Sequence, residues 1–526
     1  MKTIASFLMI QLFVIQQSFS QVTFYQEYGG NDYDQLWDMV NTFDGGYAFI
    51  GGTQSFNLNV SHMYFIKTDY SGNILSTKTY GGIYPTICSA IYQTSDSGFI
   101  LVGTYNFLSP AEMLLIKTDR NGDAIWTKSI AGTGDNFGYQ ILETPDSGFV
   151  VLGEIEYAGN FYSEVLKISS TGNLIWNKTF GNAFGIATSI QFTKDSCFII
   201  GGNTSGSVDA DMTLSKLDIN GNLLWSKRYE SLGNDHCNYL EATSDSGFLI
   251  TGVKLIQQVV GPTVGYVLKT DNAGNFQWSK TIQKQDIIEL FSSTETSNGS
   301  YMVTGYFTDT IAGENPICLF NFNQTGDTIF TKAFGYGAQD GSGCATSIIK
   351  TSDGGLVLGG YGPLQQPGAV DCFLIKTDSS FNNNCNDSYP SFTLNTPVIQ
   401  QISFTDSSFA VPLLNSIIPI LQGNGGESSI HCLSLSTGQA KDEILLSIFP
   451  NPASESLKIN GDVPFITNEP VIIQITNMIG QAMIIEDVAW RSDLPINVSS
   501  LPDGAYSLIV QSSKFMLHQK FIKTKN

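Results

Sequence analysis

A chain of 526 residues with 42% hydrophobic and 14% charged residues, 52 glycines, 34 phenylalanines and 22 tyrosines is too long for one ordinary core and too apolar to be disordered. It fits a β-rich globular protein with many turns. A net charge of −21 leaves no continuous basic surface to neutralise a phosphate backbone, which argues against nucleic acid as a partner.

The first residues carry Lys2, an apolar run from Ile4 to Ile15, and the small Ser18 and Ser20. That is the layout of a secretory signal peptide spanning residues 1–20, cut between Ser20 and Gln21. The run is shorter than the roughly 20 residues a membrane span needs, and no later stretch is long enough, so no transmembrane helix is expected in the mature chain. Export permits disulfides, yet the eight cysteines match no dense framework and form no CxxC, so most read as small buried hydrophobes. Cys385 and Cys432 bracket an irregular stretch and are the candidate disulfide pair.

Over residues 21–380 one phrase recurs about every 50 residues, as in TSDSGFILVGT, TPDSGFVVLGE and TSDSGFLITGV. Its turn is marked by Asp44, Asp96, Asp146, Asp195, Asp245, Asn298 and Asp353. A glycine follows seven residues later each time, at Gly51, Gly103, Gly153, Gly202, Gly252, Gly305 and Gly360. Each unit reads as a four-stranded β-meander. A short alternating strand leads into a tight Asp-Ser-Gly or Asp-Gly-Gly hairpin, an apolar strand follows, then a strand ending in KTD or a variant, then a glycine turn and a fourth strand such as GNLIWNK. Repeated four-stranded units predict a β-propeller, here with seven blades. The seventh unit lacks its fourth strand, while FYQEYGG at the N-terminus resembles STKTYGG at the end of one. The N-terminal strand is therefore expected to close the ring and remove two exposed edges.

Trp126, Trp176, Trp225 and Trp278 each stand four residues after the second turn glycine. Their recurrence points to packing between blades, with an aromatic ligand platform as the alternative. The turn aspartates recur in the same way and are read as turn formers rather than acid–base groups. His62, His236, His431 and His518 are too scattered for a metal cluster, and no HExxH, P-loop or GxSxG occurs. No catalytic residue and no cofactor is nominated. A calcium ion is the metal the acidic Asp209–Asp211 run would suit, although a solvated loop is the first reading. TGNLIW resembles the TGxxxW element of pyrroloquinoline-quinone dehydrogenase propellers, a resemblance confined to one turn and strand per blade. It keeps a quinone-type cofactor as an alternative.

Residues 381–442 lose the period and read as an irregular, partly ordered connector whose short apolar runs, such as PLLNSIIPIL, could add strands against either neighbour. Residues 443–526 carry strand-like runs separated by turns and predict a small β-sandwich. IFPNPASESLKI, VIIQITNMIGQAMI, SLPDGAYSLIVQ and KFIKTKN strongly resemble the type A C-terminal sorting domain of the type IX secretion system of Bacteroidota. The matching residues are Pro450, Asn451, Pro452, Ala453, Gly480, Leu501, Gly504, Tyr506, Lys520, Phe521 and Lys523. The resemblance implies handling by the type IX machinery, passage to the exterior, and removal of the domain with release or surface anchoring. The propeller with this tail also resembles uncharacterised Bacteroidota surface proteins.

Taken together, the residues describe an all-β protein, secreted or displayed on the outer cell surface, that binds glycan or protein without catalysis. The alternatives are an extracellular propeller enzyme acting on polysaccharide or through a quinone-type cofactor, and a structural surface spacer. Acidic or aromatic residues unique to one or two blades and converging on the channel would favour an enzyme; a spacer would have no deep polar pocket.

Overall fold

The computed structural model describes residues 21–524 apart from 57–59, 107–109, 182–184, 205–209, 256–262, 285–286, 310–314, 335–342, 364–369, 384, 386, 405–407, 436–446, 450–452, 461–469, 478–481, 490–494 and 512–515. The chain divides into two compact units, one ending at Ser436 and a second beginning at Thr437.

The first unit is a seven-bladed propeller. Blades 1 to 6 span residues 34–81, 86–131, 136–180, 186–230, 234–283 and 288–334, each an antiparallel meander whose strands pair in chain order. Blade 7 takes three strands from residues 344–376, and its fourth is the N-terminal strand Val22–Gly29, paired antiparallel with Val370–Lys376. The ring closes as the broken seventh unit predicts. The second and third strands of each blade are almost wholly buried, as in Phe149–Tyr157 and Met212–Leu217. Each is covered on both faces by neighbouring blades, which explains why these strands are continuously apolar rather than alternating.

The repeated polar residues hold this stack together. In six blades the turn aspartate receives the ammonium of a third-strand lysine: Lys67–Asp44, Lys117–Asp96, Lys167–Asp146, Lys216–Asp195, Lys269–Asp245 and Lys376–Asp353, at 2.6–2.9 Å. The lysines are buried while the aspartates reach solvent. In blade 6 both partners change together, to Asn298 and Asn321, so no lone buried charge is left.

The connector's short runs do add strands, and they do so in a regular order along the ring that the loss of period does not suggest. Short strands at Thr393–Asn395, Gln400–Phe404, Ser408–Phe409, Leu414–Ser416 and Leu421–Gly423 pair with the outer strands of blades 5, 4, 3, 2 and 1. Glu427–Leu435 then pairs with Val22–Gly29 of blade 7, and Ser388 makes an isolated bridge to Ala333 of blade 6. The segment is a belt that visits every blade. Its strands are held by main-chain pairing to edges already present, which needs no alternating side-chain pattern. Six blades thereby gain a fifth strand.

The second unit consists of two antiparallel sheets. Ser447–Phe449, Ser456–Asn460 and Pro495–Asn497 form one; Ala482–Ala489, Pro470–Asn477, Gly504–Gln511 and Met516–Lys523 form the other in that order.

Candidate functional site: the wall of the central channel

In every blade the innermost strand carries a β-bulge at the same place. The unpaired residues are Trp37, Ser89, Tyr139, Thr188, Asn238, Phe291 and Thr346, skipped by the register between the first and second strands. A bulge re-aims the side chain it frees. Here all seven line one cavity of about 230 Å³ on the ring axis, together with the residue that follows each: Asp38, Ala90, Gln140, Ser189, Tyr239, Ser292 and Ser347.

The recurrent glycine seven residues after each turn marker makes this geometry possible. Gly51, Gly103, Gly153, Gly202, Gly252, Gly305 and Gly360 sit opposite the residue before the bulge. A Cβ at any of them would overlap the carbonyl oxygen two residues before the bulge, for example that of Gln35, Phe137 or Glu289. A glycine in a strand interior often marks such a close approach.

The residue after the bulge ties blades together from inside. The Asp38 carboxylate accepts the Ile91 N–H of blade 2 at 3.1 Å, and Gln140 Oε1 accepts the Ile190 N–H of blade 4 at 2.6 Å. Ser189 Oγ accepts the Leu240 N–H of blade 5 at 3.2 Å. Burial pushes the Asp38 carboxyl up to about 7 against the pull of the Ile91 and Met39 N–H groups, so near neutrality it can present either protonation state to the channel.

The bulge residues themselves are chemically mixed: three aromatics, three hydroxyls and an amide. Trp37 meets Tyr361 of blade 7 edge-on, with centroids 5.4 Å apart, and Phe291 stacks on Tyr306 at 6.1 Å and 14°. These four rings form a half-buried aromatic arc over blades 6, 7 and 1. Blade 3 lies three places from both blade 6 and blade 7 around the ring, so its Tyr139 lies across the channel from the arc, donating a 2.5 Å hydrogen bond to Glu154. Burial raises the Glu154 carboxyl above its ordinary value. Rings facing hydroxyls, amides and a sparse set of carboxyls suit a small polar group with apolar faces.

The other residues singled out in the sequence lie elsewhere. The tryptophans sit between blades on the rim: Trp126, Trp176, Trp225 and Trp278 cover Gly172, Gly221, Gly274 and Gly326 of the next blade. Those glycines have φ of 71–81°. Trp126 and Trp278 donate Nε1–H to the Ser170 and Gln324 carbonyls at 3.2 and 2.9 Å. The rim tryptophans are packing residues and do not line the channel. Asp211 is buried 3.8 Å from Arg228, Asp209 lies outside the described residues, and among the described residues no group of three or more His, Cys, Asp or Glu could hold a metal ion. His62 faces the Gly82 carbonyl at 3.2 Å, and burial lowers the pKa of both His62 and His236. Cys385 is disulfide-bonded, whereas Cys88, Cys197, Cys237, Cys318, Cys344 and Cys372 are free.

Ser20 lies outside the described residues; Gln21 is fixed against blade 7, accepting the Ser379 N–H at 2.6 Å. Of the sorting motif, Pro450, Asn451, Pro452 and Gly480 lie outside the described residues. Ala453 is buried and bridges the final strand at Lys523, and the Tyr506 hydroxyl donates to the Pro502 carbonyl at 2.9 Å. Leu501 is buried, Gly504 opens the penultimate strand, and Lys520 and Phe521 lie on the last. No helix among the described residues is long and apolar enough to cross a membrane.

Residues 447–524 match the secretion system C-terminal sorting domain family. That domain directs the protein through type IX secretion to the exterior, as a secreted or cell-surface product. A search of curated proteins finds no match. Among solved structures, the chain is similar to Sqt1 from Chaetomium thermophilum at 10% identity and a TM-score of 0.38, covering 67% of this chain and 98% of that one. It is also similar to a structural genomics protein of unknown function from Bacteroides thetaiotaomicron at 11% identity and a TM-score of 0.29, covering 69% and 99%.

Proposed function

We propose that the exported propeller is a non-catalytic recognition module that takes a hydroxyl-rich glycan unit into the mouth of its central channel. In this reading residues 1–20 are the signal peptide and the propeller is the cargo that the sorting domain delivers. The observation that carries it is the bulge ring. One backbone device is repeated seven times, yet it presents Trp, Ser, Tyr, Thr, Asn, Phe and Thr to one cavity. A spacer has no need of a polar pocket, and one built for packing alone would repeat its residues as the rim does. A cavity of about 230 Å³ is below the range of about 300–1,000 Å³ for drug-sized ligands, which favours the end of a chain over its middle.

The test is a glycan and polysaccharide array probed with the full mature chain, with and without calcium, alongside Trp37→Ala and Phe291→Ala. Saturable binding to one polymer class, weakened at least tenfold by either substitution, supports the reading. A blank array, or binding indifferent to both substitutions, overturns it. Release of new reducing ends from the bound polymer would replace it with the enzymatic alternative.

A further inference from the structure

The belt has an internal order of its own. Written in sevens from Pro390, it reads PSFTLNT, PVIQQIS, FTDSSFA, VPLLNSI, IPILQGN and GGESSIH. The fifth residue of successive units, Leu394, Gln401, Ser408, Asn415 and Gln422, pairs with Ile282, Tyr229, Phe180, Ile130 and Tyr80. Those five occupy the same place on the outer strands of blades 5, 4, 3, 2 and 1. The third residue, as Phe392, Ile399, Leu413 and Ile420, packs on a blade core.

Where the fifth residue is an amide, its side chain reaches on to the adjacent blade. Gln401 Oε1 accepts the Phe276 N–H at 2.8 Å, and Asn415 Nδ2 donates to the Gly172 carbonyl at 2.7 Å. Gln422 accepts the Ala124 N–H at 2.9 Å and donates to Asp123 at 2.7 Å. Seven extended residues cover about 23 Å, so one unit carries the chain from one blade edge to the next. Seven such units make a full circuit.

Cys385 and Cys432 stand 47 positions apart, two short of seven units. Cys385 immediately precedes the contact of Ser388 with blade 6, and Cys432 lies on the strand paired with blade 7, beside Tyr25. Blades 6 and 7 are neighbours, so the belt ends where it began. Cys385 is disulfide-bonded and six other cysteines are free, which leaves Cys432 of the eight in the chain.

We propose that a Cys385–Cys432 disulfide closes residues 385–432 into a covalent hoop around all seven blades. The two thiols give up two protons and two electrons to a disulfide-bearing exchange partner in the oxidising compartment reached on export, whose disulfide is reduced to two thiols. The belt follows every blade in sequence and pairs with edges that finished blades present, so it zips on last and the bond locks it. Ring opening at the blade 7 seam then requires the N-terminal strand to leave Val370–Lys376 on one side and the hoop on the other.

The experiment uses the full mature chain. Non-reducing digestion after alkylation should give one cross-linked peptide pair, Cys385 with Cys432, and six alkylated cysteines. Hydrogen exchange in Cys385→Ser, Cys432→Ser and the double variant should then be at least tenfold faster for the amides of Gln400–Phe404 and Leu421–Gly423. The increase should be equal in all three, because each variant removes the same bond, while Phe99–Tyr105 inside blade 2 stays protected. Phosphine reduction of the folded wild-type protein should reproduce it, which guards against a variant that folds poorly. Alkylation of both thiols in the native protein, a cross-link to another cysteine, or unchanged belt exchange after the bond is removed would each overturn the proposal.

Discussion

At the rim, blades 2 to 5 place Trp126, Trp176, Trp225 and Trp278 on the turn glycine of the next blade, and six blades use the same Lys–Asp pair. At the channel wall, seven bulges of the same register carry Trp37, Ser89, Tyr139, Thr188, Asn238, Phe291 and Thr346. Both regions repeat their backbone, but only the rim repeats its chemistry. Repetition of side chains accompanies a task every blade shares, namely adhering to its neighbour. Diversity at fixed geometry marks a task done once by the whole ring, and recognition of one ligand is such a task.

Substitutions can set the two regions against each other. The largest loss of stability is expected at the rim, from Gly221→Val. The residue has φ of 77° and a Cβ there would stand 2.7 Å from the Trp176 ring, so left-handed strain and a clash combine to cost about 3–4 kcal/mol. Urea unfolding measures it, and ligand binding by the folded fraction should be unchanged. Next comes Asp245→Ala, which strips the counter-ion from Lys269, a side chain with 0% exposure. Because the aspartate is itself half exposed, the expected cost is about 1–3 kcal/mol rather than the full penalty of a buried pair. The double variant Asp245→Asn, Lys269→Asn copies blade 6 and should recover most of it in the same unfolding assay.

The two regions should also part company in their pH dependence. Lys167 holds the Asp146 carboxyl at about 2. That rim pair contributes stability above the ordinary carboxylate range near pH 4, lost as pH falls towards 2. Asp38 on the channel wall is the reverse case, since burial raises it to about 7. The stability tied to its protonated form is present below about pH 4 and is lost as pH rises through 7. Melting temperatures from pH 4 to 9 should therefore decline, and Asp38→Asn should flatten the decline while costing about 1 kcal/mol at pH 4 for a weakened hydrogen bond. Glu164 and Glu241, pushed by burial to about 8 and 7, lose stability in the same direction and keep some decline in the variant. The smallest stability effect is expected from Trp37→Ala, below about 1 kcal/mol, because its ring faces the cavity and little core is lost. There the loss should fall on binding.

What the sequence made legible follows from the same contrast. The turn aspartates, the glycine turns and the missing seventh outer strand each impose a local constraint that shows as a repeated letter, so blade number and ring closure could be read. The sorting domain was legible because its motifs stand in a fixed order. The channel ring was hidden because its members follow no common residue type, only Thr188 and Thr346 being alike. Yet its signal was present in the glycine at Gly51, Gly103 and their counterparts, which needs an opposing bulge to explain it. The belt was hidden for a different reason: its units agree in spacing and main-chain pairing while Leu394, Gln401 and Ser408 have little chemistry in common.

The most direct measurement is a scan in which each of the seven bulge residues is replaced by alanine, one at a time, and each variant is titrated with the polymer class selected on the array. Binding should collapse at Trp37, Tyr139 and Phe291 and change less at Ser89, Thr188, Asn238 and Thr346, with unfolding midpoints nearly constant throughout. Uniform binding across all seven, or loss that tracks unfolding alone, would contradict a recognition site in the channel.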